Sequence, residues 1–520
     1  MGRLLATIKS MSVSRSKNDP ASSNTPSYLR SMNSDNDEKI RLTAAVEGTS
    51  VSSSTTNRDS STIGEAIERL GCGFGSVLYC LGPYGFLMME GAEVAVMSIV
   101  SLILECEWGL STFWTSMIQI ISLLSATIFG LLLSHLGDRF GRRRILILTS
   151  FGMIVSGVLS GLARNVWQML ICRALVGVNM GLGSGPAATY SAEIPTIKFR
   201  SLSLTSVGIG WGMGTALSSG LAFLTVGSYG WRGYLIMIAI LCLPVLVLFF
   251  IARESPRYDV RVGNLENAQE TLRSLSRLNC GKESLDFEII EDQNCDEPDI
   301  TSFYESYQVL RRTGYTSDFW KLVIFSLAGQ FVYMAMIYVA PRFMDNQSSS
   351  NLNSFENEME QNQYCSFDNT VLILFDLGVI GLADPISVAM AFPLVDKIGR
   401  RNLLFVSTVL PIFVMIPLYF RIPSSLMLVV LLVSRGSLAV FGWLNFVTGS
   451  EYFPTSIRSF TSSIVQACFC SAGVLSSFAV QYTYDLSSIL IIAIMQTALL
   501  VAIFAIYSIK REMMGQQLEQ

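Results

Sequence analysis

Twelve stretches of roughly 20 apolar residues, most of them separated by short polar breaks, constrain this chain more than any other feature. A run of that length crosses the hydrocarbon core of a bilayer as an α-helix, and a helix satisfies every backbone hydrogen bond within itself. The spacing predicts helices over 77–103, 112–134, 145–163, 166–189, 203–226 and 233–252, then over 319–341, 369–392, 402–420, 424–448, 459–481 and 486–509. Composition agrees with lipid as the solvent. Hydrophobic residues make up 51% of the 520 and charged residues only 15%, against about 25% charged in soluble domains.

The basic residues are not spread evenly. Arg139, Arg142, Arg143, Arg144, Lys198, Arg200, Lys397, Arg400, Arg401 and Arg458 fall in the breaks after helices 2, 4, 8 and 10, which places those breaks and both termini in the cytosol. The alternate breaks carry Glu105, Glu107, Asp345, Glu356, Glu358, Glu360 and Asp485. One of them holds Asn346-Gln347-Ser348, an N-glycosylation acceptor on the outer or luminal side. Cys106 and Cys365 fall on that side too and are placed for a bridge, although sequence cannot fix the connectivity.

The expected organisation is a polar N-terminal tail over 1–70 too poor in apolar residues to fold, a six-helix half over 71–252, and a cytosolic loop over 253–318. A second half follows over 319–510, then a short tail over 511–520. Leu265, Ala268, Leu272, Leu275 and Leu278 recur at helical spacing inside the loop and predict an amphipathic helix. With no basic stretch leading into an apolar core near the start, the first membrane helix is expected to direct insertion. A net charge of -4 without a basic stripe argues against nucleic acid. The ten cysteines lack metal-ligand spacing, and GxSxG, HExxH and Walker patterns are missing, so neither an enzyme nor a cofactor or metal site is expected.

An internal repeat divides the chain. GDRFGRRR at 137–144 and VDKIGRR at 395–401 align at one offset (396 − 138 = 258), pairing Asp138 with Asp396, Gly141 with Gly399 and Arg142 with Arg400. The same offset carries Glu193 onto Glu451 and Arg200 onto Arg458. Parallel six-helix repeats imply a central solute path between two halves that rock against each other. With these strings the chain resembles the major facilitator superfamily, whose signature between helices 2 and 3 reads Gly-x-x-x-Asp-Arg-x-Gly-Arg-Arg; Ser134 stands at the leading glycine here. RALVGVNMGLGSGP, YSAEIPTIKFR, ESPRY and EYFPTSIR carry the resemblance into the sugar and organic-ion branch. GCGFG, MMEGAEV, CEW and RYDVRVGNLENA are similar to the synaptic vesicle 2-related proteins. The resemblance implies an all-α membrane fold of twelve helices in two pseudo-symmetric halves, in a synaptic or other cytoplasmic vesicle membrane or the plasma membrane.

The charged residues divide into gate and path. Asp138, Arg139, Arg142, Glu193, Arg200, Asp396, Arg400, Glu451 and Arg458 lie in the tight basic turns, where carboxylate–arginine contacts can hold one arrangement of the halves. The resemblance assigns them to conformational gating. The bland alternative is that the arginines only mark cytosolic loops. Glu90 and Glu93 sit three apart in the first helix and Asp376 and Asp384 eight apart in the eighth, all expected to face the central path because a charge against lipid is costly. Each has an alternative as a packing salt bridge or a kink-stabilising group beside Pro385. Arg173 reads as a counter-ion for the first-half acids. Arg435 either neutralises the eighth-helix carboxylates or binds an anionic solute. Gln330, Tyr333, Trp443, Asn445 and Gln466 are candidate polar and stacking groups. Gly177, Gly181, Gly183 and Gly185 form a small-residue stripe for close helix packing, and the one histidine, His135, borders the basic turn.

These residues predict an alternating-access transporter of a small organic solute, with the acidic groups favouring a cation and allowing proton coupling. The alternative keeps the scaffold without transport, as a vesicle-membrane regulatory protein whose tail and central loop bind cytosolic partners.

Overall fold

The computed structural model describes residues 60–61, 63–133, 136–280, 288–289, 303–312, 314–352, 367–420, 422–453, 455–484 and 486–508. Ser134, His135 and Cys365, the tail up to 59 and the end from 509 lie outside the described residues, as do the side chains of Asn346, Asp396, Glu451 and Arg458. After α1 (Ile63–Leu70), the first half runs through α2 (Phe74–Glu107), α3 (Thr112–Leu133), the short α4 (Leu136–Phe140), α5 (Arg142–Gly161) and α6 (Val166–Glu193). Next come α7 (Ile197–Leu241) and α8 (Leu243–Ile251), together an apolar run of 55 residues. At 1.5 Å per residue such a run would reach about 80 Å, far beyond the bilayer. Gly230, at φ 64° and ψ −177°, breaks the helical path and turns the chain back, so the run makes two crossings.

The second half is α12 (Thr316–Leu352), α13 (Phe367–Gly381) with α14 (Ala383–Ile398), α15 (Arg400–Val414) ending in a 3₁₀ turn (Ile416–Tyr419), α16 (Ser424–Glu451), α17 (Thr455–Tyr484) and α18 (Ser488–Tyr507). Twelve crossings result. Between the halves lie α9 (Pro256–Arg261), α10 (Leu265–Cys280) and α11 (Phe303–Arg312). Strands are confined, among the described residues, to a parallel two-residue pair, β1 (Ser60–Ser61) with β2 (Glu288–Ile289), in the register Ser60 to Glu288.

Helices in lipid gain nothing from excluding water between them, so backbones must approach closely to gain packing contacts. Glycine makes that possible here. A Cβ at Gly91 would lie 2.0 Å from the Trp211 carbonyl, and one at Gly214 would lie 1.9 Å from that of Met88, which locks α2 against α7. Gly177 meets the Ser122 carbonyl at 2.0 Å in the same way, pressing α6 onto α3. The expected four-glycine stripe is therefore only partly a helix seam: Gly183 faces the Phe86 ring, and Gly185 faces open space. Leu132, Leu148, Ile171, Val247, Phe413 and Phe504 are exposed on the outside of the bundle, as lipid-facing side chains must be.

The halves meet along two exchanged seams, α7 against α13 and α14, and α3 against α17. At the end of the bundle rich in arginine, called here the basic end, the repeat has a backbone cause. Gly141 and Gly399 adopt φ 99° and 85°, each immediately before the helix that starts at Arg142 or Arg400. A side chain rarely tolerates this region, and a Cβ on Gly141 would also meet Glu254 Oε2 at 2.5 Å.

Two expectations need correction there. Residues 63–70, read as part of an unfolded tail, form α1, because Ala66, Ile67 and Leu70 make an apolar stripe that buries against neighbouring helices including α10. The amphipathic helix exists as α10 with Ala268, Leu272 and Leu275 buried, but Leu278 is 38% exposed and rests against Gly75. Asn279 fastens α10 to the start of α2. Its Oδ1 accepts from Ser76 N at 3.2 Å and its Nδ2 donates to the Gly71 carbonyl at 3.3 Å.

Candidate solute path and gates

Glu90 and Glu93 both reach from α2 onto α6, but they meet different partners. Arg173 Nη1 donates to Glu93 Oε2 at 2.5 Å, with both side chains buried. A charge with a counter-charge this close can stay in a low-dielectric interior. Glu90, also buried, meets no guanidinium; its described partner is the hydroxyl of Ser184. That hydroxyl also lies 2.7 Å from the Met180 carbonyl. A serine has one proton to give, so it cannot donate to both acceptors at once. When it serves the carbonyl, the hydrogen bond to Glu90 needs a proton on the carboxyl.

The second cluster gathers four helices around Asp384. Arg435 of α16 donates through Nε to Oδ1 at 3.0 Å and through Nη2 to Oδ2 at 2.9 Å, the two-pronged geometry that suits a planar guanidinium. Tyr333 of α12 donates to Oδ2 at 3.2 Å, and the Thr215 hydroxyl of α7, from the other half, lies 3.1 Å from Oδ2 and 2.9 Å from the Gly212 carbonyl. Asp384 occupies the first turn of α14, where Pro385 removes a backbone N–H that has no helical partner anyway. Asp376 does not join this cluster. It sits half-buried on α13, on the other side of the Leu382 break, without a hydrogen bond or ion pair to a described residue.

Between the clusters, several polar atoms are buried without a protein partner: Trp211 Nε1, Gln330 Oε1, Trp443 Nε1 and Asn445 Nδ2. Trp211 and Trp443 each meet a residue of the other half. Trp211 packs on Tyr333 with ring centres 5.5 Å apart, Trp443 lies over Gly208, and Gln330 lies beside Gly442. Asn445 is held through its other end, with Ser326 donating to Oδ1 at 2.8 Å. Unpartnered buried polar atoms are rare in native proteins and call for water or a ligand. Gln466, half-buried on α17, has no described hydrogen bond.

At the basic end Arg142 is the hub. It pairs with Asp138 at 3.0 Å and Glu193 at 3.1 Å, and its guanidinium covers the Tyr258 ring at 4.8 Å. Glu193 is thereby engaged by Arg142, not by Arg200. Helix packing brings α5 to the end of α6, and sequence separation does not report that. Arg200 instead lies near Arg257, and burial together with this like charge lowers the Arg257 pKa. Arg139 stays out of this cluster, exposed beside the Phe140 ring.

Glu254, quoted in a motif but given no role by sequence, accepts from the backbone N of Arg143 at 3.1 Å to each oxygen. Burial raises its pKa and these hydrogen bonds oppose the rise. In the second half Arg400 opens α15, and the backbones of Asp396, Glu451 and Arg458 are helical. At the opposite end, the backbone at Asn346 is helical within α12.

Sequence reasoning missed Ser184, Thr215, Trp211 and Glu254 as partners. Small hydroxyls and a lone tryptophan carry no signature until the fold brings an acid or a second ring beside them.

The sugar (and other) transporter family matches residues 51–520. A putative transporter of Caenorhabditis elegans, svop-1, is 24% identical over 464 residues, 88% of this chain and 86% of that one. The synaptic vesicle 2-related protein of Bos taurus is 24% identical over 473 residues, 89% of this chain and 83% of that one. The arabinose-proton symporter of Bacillus subtilis is 25% identical, covering 79% of this chain and 88% of its own. Among solved structures, the partially occluded inward open conformation of the xylose transporter XylE from E. coli matches with a TM-score of 0.66 at 19% identity, over 85% of this chain and 99% of that one.

Proposed function

The chain belongs to the sugar (and other) transporter family, and from that premise we propose that it carries a small organic solute bearing one positive charge, exchanged against a proton at Glu90. The observation that carries this reading is the difference among three buried acids. Glu93 is neutralised by Arg173 and Asp384 by Arg435, while the described partner of Glu90 is a hydroxyl. A buried carboxyl with no counter-ion holds either a proton or a cation, because leaving the bare charge there is too costly. The donor count at Ser184 supports the protonated form when no solute is bound. The aromatic faces of Trp211 and Trp443 suit a cation, and their ring N–H groups with Asn445 suit oxygen acceptors on the same molecule.

In the remaining assignment, Arg173 and Arg435 are counter-ions rather than solute ligands, and Gln330, Tyr333 and Asn445 line the path. Arg142 with Asp138 and Glu193 forms a gate on the cytosolic side, where the basic end faces. Asn346 then lies on the luminal side. The synaptic vesicle 2-related relatives support a vesicle membrane. The arabinose carried by the Bacillus symporter supports a second reading, a neutral sugar held by the unpartnered donors and coupled to the same proton.

Uptake into proteoliposomes of a labelled organic cation, an anion and an aldopentose, with and without a pH gradient, separates these readings. The expected result is saturable cation uptake driven by the gradient and lost in Glu90→Gln, with the variant still folded. Gradient-driven uptake of the sugar, with the cation ignored, would replace the first reading by the second. Cation uptake that Glu90→Gln leaves unchanged would remove Glu90 from the cycle.

A further inference from the structure

Of the ion pairs among the described residues at the basic end, Asp138–Arg142–Glu193, Arg253–Glu270 and Asp318–Lys321, none joins one half to the other. At the opposite end, polar contacts cross between halves, in two tiers. The outer tier is ionic: Arg342 of α12 donates to Glu105 of α2 at 3.3 Å, and also to Gln481 of α17, while its carbonyl accepts from Tyr484 at 2.9 Å. The inner tier is neutral and fully buried. Gln119 of α3 donates through Nε2 to Ser101 of α2 at 2.7 Å, and its Oε1 accepts from Ser477 of α17 at 2.5 Å.

We propose that Gln119 is a positioning residue of the transport cycle: its amide, oriented by Ser101, accepts the Ser477 hydroxyl and so holds the opposite end of the path shut. The inference rests on the alternating-access reading. Three features make Gln119, rather than the Glu105–Arg342 pair, the determinant. The amide donates to Ser101 within its own half and accepts from Ser477 of the other, so one end is anchored and the other is free to bridge. It is sealed from water, where an exchange of hydrogen-bond partners must wait for the seam to part, whereas Glu105 is 33% exposed and can trade its arginine for solvent. It also stands on the α3–α17 seam, one of the two surfaces that must shift when the halves rock. Breaking one bond, Ser477 to Gln119, therefore accompanies each opening, and Ser101 keeps the amide in place for reclosing.

The test reads conformational populations and not flux, so it stands apart from whether the solute assignment is right. Backbone hydrogen–deuterium exchange is measured on the full chain in lipid nanodiscs, comparing wild type with Gln119→Leu, Ser477→Ala and Ser101→Ala. A shift of population raises exchange at the opposite ends of α2, α3, α12 and α17 and lowers it at the basic ends. General destabilisation raises it at both. The expected result for Ser477→Ala is an opening constant about 3-fold higher, the effect of one interhelical hydrogen bond in a bilayer. Gln119→Leu should shift it further in the same direction. Ser101→Ala should have an effect alone and none when added to Gln119→Leu, because it acts through the amide. If Gln119→Leu does not fold, Ser477→Ala decides, since it removes a single oxygen. Unchanged exchange in a folded Ser477→Ala variant, or a rise at both ends, would overturn the proposal. Loss of uptake in wild type alongside the expected shift would leave it intact and count against the solute reading alone.

Discussion

The Asp384–Arg435 pair gives the sharpest energetic test of the bundle. Both side chains are buried, at 2% and 5% exposure, and the carboxylate meets the Arg435 guanidinium and the hydroxyls of Tyr333 and Thr215, on three other helices. Arg435→Met leaves the carboxylate with only Tyr333 and Thr215. Asp384→Asn keeps an acceptor for those hydroxyls but strands the guanidinium. Removing one partner of a buried pair costs about 3–5 kcal/mol, whereas replacing both charges is close to neutral. The double variant Asp384→Asn/Arg435→Met should accordingly lie within about 2 kcal/mol of wild type. The coupling between the two positions then comes to at least about 4 kcal/mol in favour of the double variant. Equilibrium unfolding in mixed micelles of dodecyl maltoside and SDS, followed by emission of the seven tryptophans, measures all three variants. A double variant as unstable as the sum of the singles would refute the reasoning, because it would mean that neither charge depends on the other.

Three further predictions concern packing and pH. Gly91→Ala should lower thermal stability despite alanine's better helix propensity, since its Cβ would collide with the Trp211 carbonyl at 2.0 Å and overpacking costs about 1–3 kcal/mol. Gly185→Ala, with nothing within 4 Å, should instead raise stability by up to about 1 kcal/mol in the same melt. Burial, with the charge of Glu254 adding, pushes the Asp259 carboxyl up to about 6 at the basic end. A carboxyl raised in the folded state contributes stability that is complete below its unfolded pKa of about 3.9 and lost as pH rises through the folded value. Relative to Asp259→Asn, wild type should hold level below pH 4, lose ground between about 4 and 6, and stay lower above that. A difference between the two melts that is flat from pH 4 to 7 would show that Asp259 is not perturbed.

Twelve crossings, the two-half repeat and the family were all legible along the chain. Those follow from one-dimensional signals: apolar run length matched to bilayer thickness, and glycine–arginine turns recurring at a fixed offset. Gly141 and Gly399 illustrate this, since a backbone conformation that excludes side chains leaves its mark on residue identity directly. Residue chemistry also singled out the acids and arginines, because a charge inside a membrane span demands an explanation wherever the chain goes.

Tertiary structure alone decided the pairings. Glu193 chose Arg142 over Arg200, and Glu90 went to Ser184 while Glu93, one turn away, took Arg173. The near-identical acids of α2 thus differ in charge balance for a reason invisible along the chain. Which partner a side chain meets depends on how helices far apart in sequence cross, and in a bilayer those crossings are set by where backbones can touch, at Gly91, Gly177 and Gly214. The distinction between an acid that meets a hydroxyl and one locked to an arginine arises only when α6 lies across α2.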